Sequence, residues 1–133
     1  MSYKIGLIVD KPNIEKHNEE VDSADEQKQT TADKIKEVLS KKYKLIKIVA
    51  DEKIIEELNR NNIDIVFNLS TGTRGESRQS QIPAILEMLG IPYVGSGILA
   101  HGMALNKAVA KQIFWFHQVL TPCFQVFHTG KEE

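Results

Sequence analysis

The sequence predicts an α/β fold in which a layered, mainly parallel sheet is built from successive βαβ units. Short, continuous apolar runs alternate along the chain with segments of helical periodicity. Such runs are typical of strands that are covered on both faces. The right-handed crossovers of βαβ units then give a parallel sheet with helices on its faces. A length of 133 residues suits one such domain.

The first strand and the first helix follow from these patterns. Residues 5–9 form a continuous apolar run, and a polar loop over residues 10–22 follows it. Ser23 and Glu26 have the spacing of a capping box, so we expect a helix over about residues 24–41. Glu37 and Lys41 have the i,i+4 spacing of a charge pair. The predicted apolar face of this helix consists of Ala32, Ile35, Val38 and Leu39.

The middle of the chain predicts a second strand, a short helix and a third strand. Apart from Lys47, residues 45–49 are apolar and mostly β-branched, as expected of a strand. Asp51 is placed to cap the helix that follows. Residues 63–67, which are apolar except for Asp64, predict the third strand. The predicted buried face of the short helix contains Ile54, Ile55 and Leu58.

The last part of the chain predicts two more helices and two short strands. Gly90 suits the left-handed residue that ends a helix, and Pro92 cannot donate to a ladder, so the fourth strand begins at or after it. A helix over about residues 106–117 follows, and residues 124–127 resemble the opening of a further strand. The apolar sides of these helices are predicted to be Ile82, Ile85, Leu86 and Leu89, and then Val109, Ile113 and Phe116, with Trp115 and Phe116 packed against the core or a neighbouring domain.

Composition excludes several classes of function. Lysine and arginine total 17 against 18 acidic residues, so no strong field favours nucleic acid or an anionic membrane. No window approaches the roughly 20 apolar residues of a membrane span, and we expect a cytoplasmic protein. The single cysteine, Cys123, excludes an internal disulfide and is predicted to be a buried apolar side chain. The four histidines share no metal-ligand spacing, and no metal site is predicted in this chain.

Two polar loops lie where the carboxyl ends of parallel strands gather ligands. The first, residues 70–78, contains two glycines that allow close backbone approach, and hydroxyls and arginines that can hold a carboxylate or a phosphate. It is not a P-loop, because no Gly-Lys-Ser/Thr sequence closes it. An ordinary polar turn before a helix is the alternative, and the residues alone leave it open.

The second loop, residues 95–107, consists of small and apolar residues followed by Lys107 at the start of a helix. A lysine at that place could deliver one ammonium group to an anion. The alternative is a solvated surface lysine, which is the commoner role of a lysine in a first helical turn.

A longer motif carries more information than either loop. Gly75-Glu76, Gln81, the block Leu-Glu-Met-Leu-Gly-Ile-Pro-Tyr-Val-Gly-Ser-Gly at residues 86–97, and the later Asn106-Lys107 form one ordered pattern. That pattern resembles the D-alanine–D-alanine ligase family. The resemblance covers nearly the whole chain and is strongest from Asp64 onward.

The resemblance implies a Rossmann-like, three-layer domain with a mainly parallel sheet, of the kind that precedes an ATP-grasp domain. Residues 1–104 would form that domain, and residues 105–133 would form a linking helix and the start of the ATP-grasp domain. Such enzymes use ATP and magnesium to phosphorylate a carboxylate, and an amine then displaces phosphate. Because the residues that hold ATP and magnesium belong after Phe127 in this family, we expect no catalytic residue in this chain and no activity from it alone.

The resemblance also implies site residues and a partner. Lys107 would contact the nucleotide phosphates, and the amino acid substrates would lie beside the first loop. A homodimer through this domain is a further expectation. The implied substrate-binding residues are Thr71, Gly72, Gly75, Glu76, Arg78 and Ser96.

This chain departs from the family pattern at the proposed site. Thr71 replaces the usual histidine, and Ser77-Arg78 replaces Asp-Gly, so the preferred amino acid need not be D-alanine. The family's substrate-binding glutamate after the first strand has no clear counterpart, although Asp25 or Glu26 could substitute for it.

Two other classes of function compete with the ligase domain. A freestanding small-molecule binding or dimerisation module derived from that domain remains open, and the reading frame beyond Glu133 distinguishes the two. A dinucleotide-binding oxidoreductase is disfavoured, because no Gly-x-Gly-x-x-Gly follows the first strand.

Overall fold

The computed structural model describes residues 3–11, 23–127 and 129–130, and the side chains of residues 23–25 are not described. Within these residues, four parallel strands form one sheet in the order β2-β1-β3-β4. The predicted α/β fold with a parallel sheet is therefore confirmed. The strands are β1 (Lys4–Asp10), β2 (Lys44–Ala50), β3 (Ile65–Asn68) and β4 (Tyr93–Val94).

In the part of the chain that the structure describes, five α-helices connect or follow the strands, and a 3₁₀ turn, Arg78–Ser80, precedes the third helix. The predicted second loop is only partly a loop, because residues 98–105 are helical. The helices are α1 (Ser23–Ser40), α2 (Ile54–Asn61), α3 (Gln81–Met88), α4 (Ile98–Leu105) and α5 (Lys107–Phe116).

Two apolar clusters, one on each face of the sheet, make the fold three-layered. On one face α1 contributes Ala32, which packs with Leu7 and Val9 of β1. On the other face α2 and α3 pack against alternate residues of the same strands. The buried members of this larger cluster are Ile8, Ile48, Ala50, Ile54, Leu58, Ile63, Val66, Ile82 and Leu86.

Local hydrogen bonds end α3 and begin α5 as the sequence predicts. Gly90 adopts φ +67°, its amide donates to the Glu87 carbonyl at 3.1 Å, and the amide of Ile91 donates to the Leu86 carbonyl at 2.9 Å. This pair of bonds is a Schellman motif. The side chain of Asn106 accepts from the amides of residues 108 and 109 at the start of α5. The fourth strand follows Pro92, also as predicted.

Several predicted details of the first two helices need correction. Val38 is exposed, and so is Ile55, because only Ile54 and Leu58 of α2 face the sheet. Asp51 does not act as the N-cap of α2, because Lys53 holds that position. The Asp51 carboxylate instead accepts from the Lys53 amide at 2.8 Å. The predicted Glu37–Lys41 ion pair is present at 3.4 Å. Most of the predicted loop over residues 10–22, and the side chain of Ser23 in the predicted capping box, lie outside the described residues.

The carboxyl-terminal part of the chain differs most from the prediction. Cys123 is exposed rather than buried, and residues 124–127 form no strand. Trp115 and Phe116 are exposed, and α5 contains no buried residue, so its predicted apolar side does not pack into the described core. Among the described residues, no helix is long and apolar enough to cross a membrane.

Candidate functional site

The sheet order creates a crevice at one place along its carboxyl edge. From β1 the chain passes to β2 on one side, and it then returns to β3 on the other side of β1. The connections that follow these two central strands therefore diverge to opposite faces. In open α/β sheets, ligands bind at such a switch point. The register pairs Ile8 with Asn68, so the ends of β1 and β3 lie side by side.

Asp10, the last residue of β1, is the centre of the hydrogen bonds at this point. Its Oδ1 accepts from Ser70 Oγ at 2.6 Å and from the Thr71 amide at 2.9 Å. Its Oδ2 accepts from Thr71 Oγ1 at 2.9 Å and from Lys28 Nζ at 3.0 Å. The carboxylate thus joins β1 to the loop after β3 and to α1.

The charge of Asp10 is stabilised by these contacts. Burial of the carboxylate raises its pKa, but hydrogen bonds from Ser70, Lys28 and Thr71 to the ionised form outweigh that effect. The pKa of Asp10 therefore lies below its ordinary value of 3.8. Asp10 is ionised at neutral pH and balances the charge of Lys28.

The loop after β3 is also fixed from the side of α3. Gln81 Oε1 accepts from the amide of Thr73 at 2.9 Å and from its hydroxyl at 3.0 Å. Gln81 Nε2 donates to the Arg74 carbonyl at 2.5 Å. Because Asp10 holds residues 70–71 and Gln81 holds residues 73–74, the first half of the loop is fixed from both ends.

Gly72 lies between these two sets of contacts, at a position that has no room for a side chain. It adopts φ +83°, and a Cβ atom at this position would collide with the carbonyl of Arg78. Its amide donates to Ser70 Oγ at 3.0 Å. Of the predicted substrate-binding residues, Thr71 and Gly72 are thus built into the network around Asp10.

The remaining predicted residues of this loop are accessible to a ligand. Gly75 adopts φ +90° with open space around it, and Glu76 and Arg78 are exposed. Neither of the last two side chains makes a hydrogen bond or an ion pair with another part of the described chain. One negative and one positive side chain are therefore free to contact a ligand.

The second predicted loop reaches the same region through α4. Ser80 Oγ, in the 3₁₀ turn after the first loop, donates to the carbonyl of Ile98 at 2.9 Å. Ser96 is exposed just before α4. Lys107 is exposed in the first turn of α5, and no described contact joins it to the network around Asp10. Its predicted role toward phosphate stays a prediction.

Metal binding is not supported by the described residues of this chain. Within them, no group of three histidine, cysteine, aspartate or glutamate side chains is arranged to hold a metal ion. His17 and His128 lie outside the described residues.

Sequence reasoning missed Asp10 as part of the site and did not assign a role to Gln81. One signal was available for Asp10, because an acidic residue ending an otherwise apolar strand faces the ligand edge of a parallel sheet. No local signal identified Ser70 and Thr71 as its partners, since they are about 60 residues away along the chain.

Comparison with known proteins finds relatives of this chain. A D-alanine–D-alanine ligase of Desulforamulus reducens is 41% identical over 88 residues, which are 66% of this chain and 27% of that protein. The chain is homologous to the D-alanine–D-alanine ligases. An uncharacterised protein of Sinorhizobium fredii is 43% identical over 68 residues, 51% of this chain and 20% of that protein. No protein-family model matches the chain.

The fold of a solved ligase agrees with this relationship. The crystal structure of a D-alanine–D-alanine ligase from Bacillus anthracis in complex with ATP superposes with a TM-score of 0.69 at 27% identity. The match covers 92% of this chain but 37% of the ligase. The chain spans between a fifth and a third of the length of the curated relatives, consistent with their amino-terminal domain.

Proposed function

We propose that this chain is the substrate-binding, amino-terminal domain of an ATP-dependent ligase that joins the carboxylate of one amino acid to the amine of another. D-alanine–D-alanine ligases, or ligases with a related amino acid preference, are the proposed class. The observation that carries the proposal is the loop after β3, which is held at the switch point by Asp10 and Gln81 in a homologue of these ligases.

The proposed reaction has two steps. A substrate carboxylate oxygen attacks the γ-phosphorus of ATP, ADP leaves, and an acyl phosphate forms. The amine of the second amino acid then attacks the acyl carbon, and phosphate leaves as the amide bond forms. Such chemistry depends more on positioning and charge neutralisation than on a protein nucleophile. Magnesium, bound when ATP is bound, would supply part of that charge neutralisation.

The residues of this chain would position substrates rather than perform the chemistry. The exposed half of the loop after β3, with Gly75, Glu76 and Arg78, would border the first amino acid, together with Ser96. Thr71 and Gly72 would shape the backbone of the same site. Lys107 would contact the nucleotide phosphates from the first turn of α5. Residues 1–104 would form the substrate domain, and residues 105–133 would lead into the ATP-grasp domain.

A phosphate-release assay tests this function on the intact protein, meaning the proposed full-length ligase that contains this chain and the ATP-grasp domain. We expect ATP-dependent phosphate release that requires magnesium and an amino acid, and a dipeptide product. A panel of D- and L-amino acids determines the preferred substrate. ATP-dependent phosphate release without any dipeptide product would contradict the proposed amide-bond formation, and no release with any amino acid would favour a freestanding binding module.

The positive charge of Arg78 leads to a specific prediction about the preferred amino acid substrate. A positive charge stands where the family has glycine, so we propose that the first substrate has an additional anionic or hydrogen-bonding group. A charge-assisted hydrogen bond would favour that substrate over D-alanine by roughly 10- to 150-fold in kcat/KM. Arg78→Gly should abolish the preference. Arg74→Gly is the matched control, because Arg74 is also exposed in this loop, and it should retain the preference. D-alanine as the best substrate of both the native protein and Arg78→Gly would contradict this specificity.

The role of Lys107 is tested by nucleotide affinity. Lys107→Ala should weaken ATP binding by about tenfold or more, because one charge-assisted contact to phosphate would be lost. Lys53→Ala, an exposed lysine before α2, is the matched control. Equal affinities in the native protein and both variants, by calorimetric titration with magnesium and ATP, would leave Lys107 a solvated surface residue.

The proposed setting follows from the proposed reaction. A D-alanine–D-alanine ligase activity would supply the cytoplasmic synthesis of peptidoglycan precursors. We also propose that the protein forms a homodimer through this domain. Light scattering at micromolar concentration tests the assembly, and a monomeric mass would exclude it.

A further inference from the structure

We propose that Asp10 is a positioning residue: it fixes the substrate loop after β3 and does not itself bind the substrate. This inference rests on the proposed function, because it deepens the description of the same site. Asp10 ends the first strand, and the resemblance implies that a carboxylate just after this strand binds substrate. The geometry points to a different task for Asp10.

The hydrogen-bonding capacity of Asp10 is already used. An ionised carboxylate has about four lone-pair sites. Each oxygen of Asp10 accepts two hydrogen bonds, Oδ1 from Ser70 and the Thr71 amide, and Oδ2 from the Thr71 hydroxyl and Lys28. A substrate ammonium group would have to displace one of these donors. Asp10 is therefore not available to bind it.

The contacts of Asp10 lead directly to the backbone of the substrate loop. Ser70 Oγ donates to Asp10 and at the same time accepts from the amide of Gly72. Gly72 is the residue whose positive φ turns the chain beneath the carbonyl of Arg78. Asp10 thus fixes, through Ser70, the turn that places the exposed half of the loop.

In this arrangement the two carboxylates have different roles: Asp10 fixes the loop, and Glu76 is exposed to a ligand. Glu76, in the exposed half of the loop, makes no hydrogen bond or ion pair with the described residues and is open to solvent. Glu76 is therefore the carboxylate of this loop that is free to contact a substrate ammonium group. A rigid, preorganised loop lowers the entropy that is lost when the ligand binds.

The first experiment measures the loop itself by hydrogen exchange in the intact protein. In Asp10→Ala, the amides of Thr71 and Gly72 should exchange about tenfold faster or more. The Thr71 amide loses its acceptor, and Ser70, which accepts from the Gly72 amide, is no longer held in place. Asp10→Asn keeps one carbonyl oxygen as an acceptor and should restore part of the protection. Asp51→Ala is the matched control, since Asp51 lies at the same edge of the sheet after β2 and accepts from Lys53 instead.

The second experiment measures kinetics on the same variants. Asp10→Ala should raise KM for the first amino acid by about tenfold or more with little change in kcat, because loop positioning favours the bound ground state and transition state alike. Asp10→Asn should lie between this variant and the native protein. Asp51→Ala should leave both constants unchanged. Circular dichroism establishes that each variant is folded; if Asp10→Ala is not, Ser70→Ala removes one link of the same chain of bonds.

The outcomes separate this inference from the proposed function. Unchanged exchange at Thr71 and Gly72 in a folded Asp10→Ala protein would overturn the positioning role, whatever the enzyme does. Faster exchange with an unchanged KM would also overturn it, because the loop would not serve the substrate. Absence of ligase activity in the native protein would refute the proposed function instead, and the exchange experiment would still decide whether Asp10 fixes the loop.

Discussion

Two regions of this chain differ in how they use apolar side chains. Between β1 and α3, apolar residues from both faces of the sheet are buried, and Leu7, Ile8, Val66 and Leu86 are 0% exposed. In α4, α5 and the segment that follows, none of the described residues is buried. Trp115 is 78% and Leu120 is 101% exposed there. The first region contains a core, and the second has apolar residues without one.

The difference assigns separate roles to the two regions. Burial of apolar surface is the main favourable contribution to folding, so the first region stabilises the fold and the site that is built on it. The second region is held in part by one side chain. Lys111 Nζ donates to Thr121 Oγ1 at 3.1 Å and to the Pro122 carbonyl at 2.8 Å, and it lies 5.4 Å from the centre of the Phe124 ring.

The largest expected effect compares the same substitution in both regions. Leu86→Ala removes a fully buried side chain from the cluster beneath α3 and should destabilise the protein by about 2–5 kcal/mol. Leu120→Ala removes a fully exposed one and should change stability by less than about 0.5 kcal/mol. Urea unfolding measures both. Similar losses for the two variants would show that the second region also has a core.

A second comparison uses two glycines of the first region. Both Gly72 and Gly90 have positive φ, which is costly for L-amino acids. Each change to alanine should therefore lower the free energy of unfolding by about 1 kcal/mol or more. Gly90 has open space around it, whereas a Cβ on Gly72 would meet the Arg78 backbone. Gly72→Ala should therefore be worse, by about 1–3 kcal/mol beyond Gly90→Ala. Equal effects in urea unfolding would mean that the substrate loop moves freely away from Gly72.

The same contrast explains which parts of the fold the sequence could predict. The strands and most helices were predictable, because continuous apolar runs and a 3.6-residue period leave a local signal. Helix α4 was not, since Ile-Leu-Ala-His-Gly-Met-Ala-Leu is apolar on nearly every side and has no polar face to set a period. Residues 124–127 carried a strand-like pattern, but no neighbouring strand pairs with them among the described residues, so the propensity is not realised.

The site was predictable in part for a similar reason. The polar loop after β3 stands out locally, as two glycines among hydroxyl and charged residues. Its contact with Asp10 depends on the strand order β2-β1-β3, which no local pattern contains. Gln81 belongs to the motif that carries the resemblance, but its contacts with Thr73 and Arg74 come from the turn geometry of this loop.

A third, smaller effect concerns the pH dependence of the first region. The folded-state pKa of Asp10 is lowered, so its contribution to stability is present above its ordinary pKa of 3.8 and is lost as pH falls through the folded value. At neutral pH, Asp10→Asn should be less stable than the native protein by about 1.5 kcal/mol, because hydrogen bonds to a charged acceptor are weakened.

Unfolding by urea over a pH series tests the sign of this effect. The difference between the native protein and Asp10→Asn should be constant near neutrality and should shrink as pH falls below 3.8. Asp51→Asn serves as a control at the same edge of the sheet, because no Lys28-like cation contacts it in the described structure. A difference that grows toward acid pH would contradict the lowered pKa of Asp10.

The smallest expected effect on global stability concerns Lys111 in the second region. Lys111→Met removes the ammonium that contacts Thr121, Pro122 and the Phe124 ring, but it leaves the buried clusters intact. The free energy of unfolding should change by less than about 1 kcal/mol, because partly exposed contacts of this kind are weak. The segment after α5 should nevertheless open more often, since few other contacts hold it.

Limited proteolysis with chymotrypsin measures that opening, because the segment contains Leu120, Phe124 and Phe127. We expect Lys111→Met to be cleaved several-fold faster there, with unchanged urea unfolding; a factor of about five corresponds to the loss of about 1 kcal/mol of local stability. Lys107→Met is the matched control, one helical turn earlier on α5 and without a contact to the segment. Equal cleavage of the two variants would show that Lys111 does not hold the segment. A large loss of global stability in Lys111→Met would instead remove the distinction between the two regions, because the segment would then contribute to the same cooperative unit as the sheet.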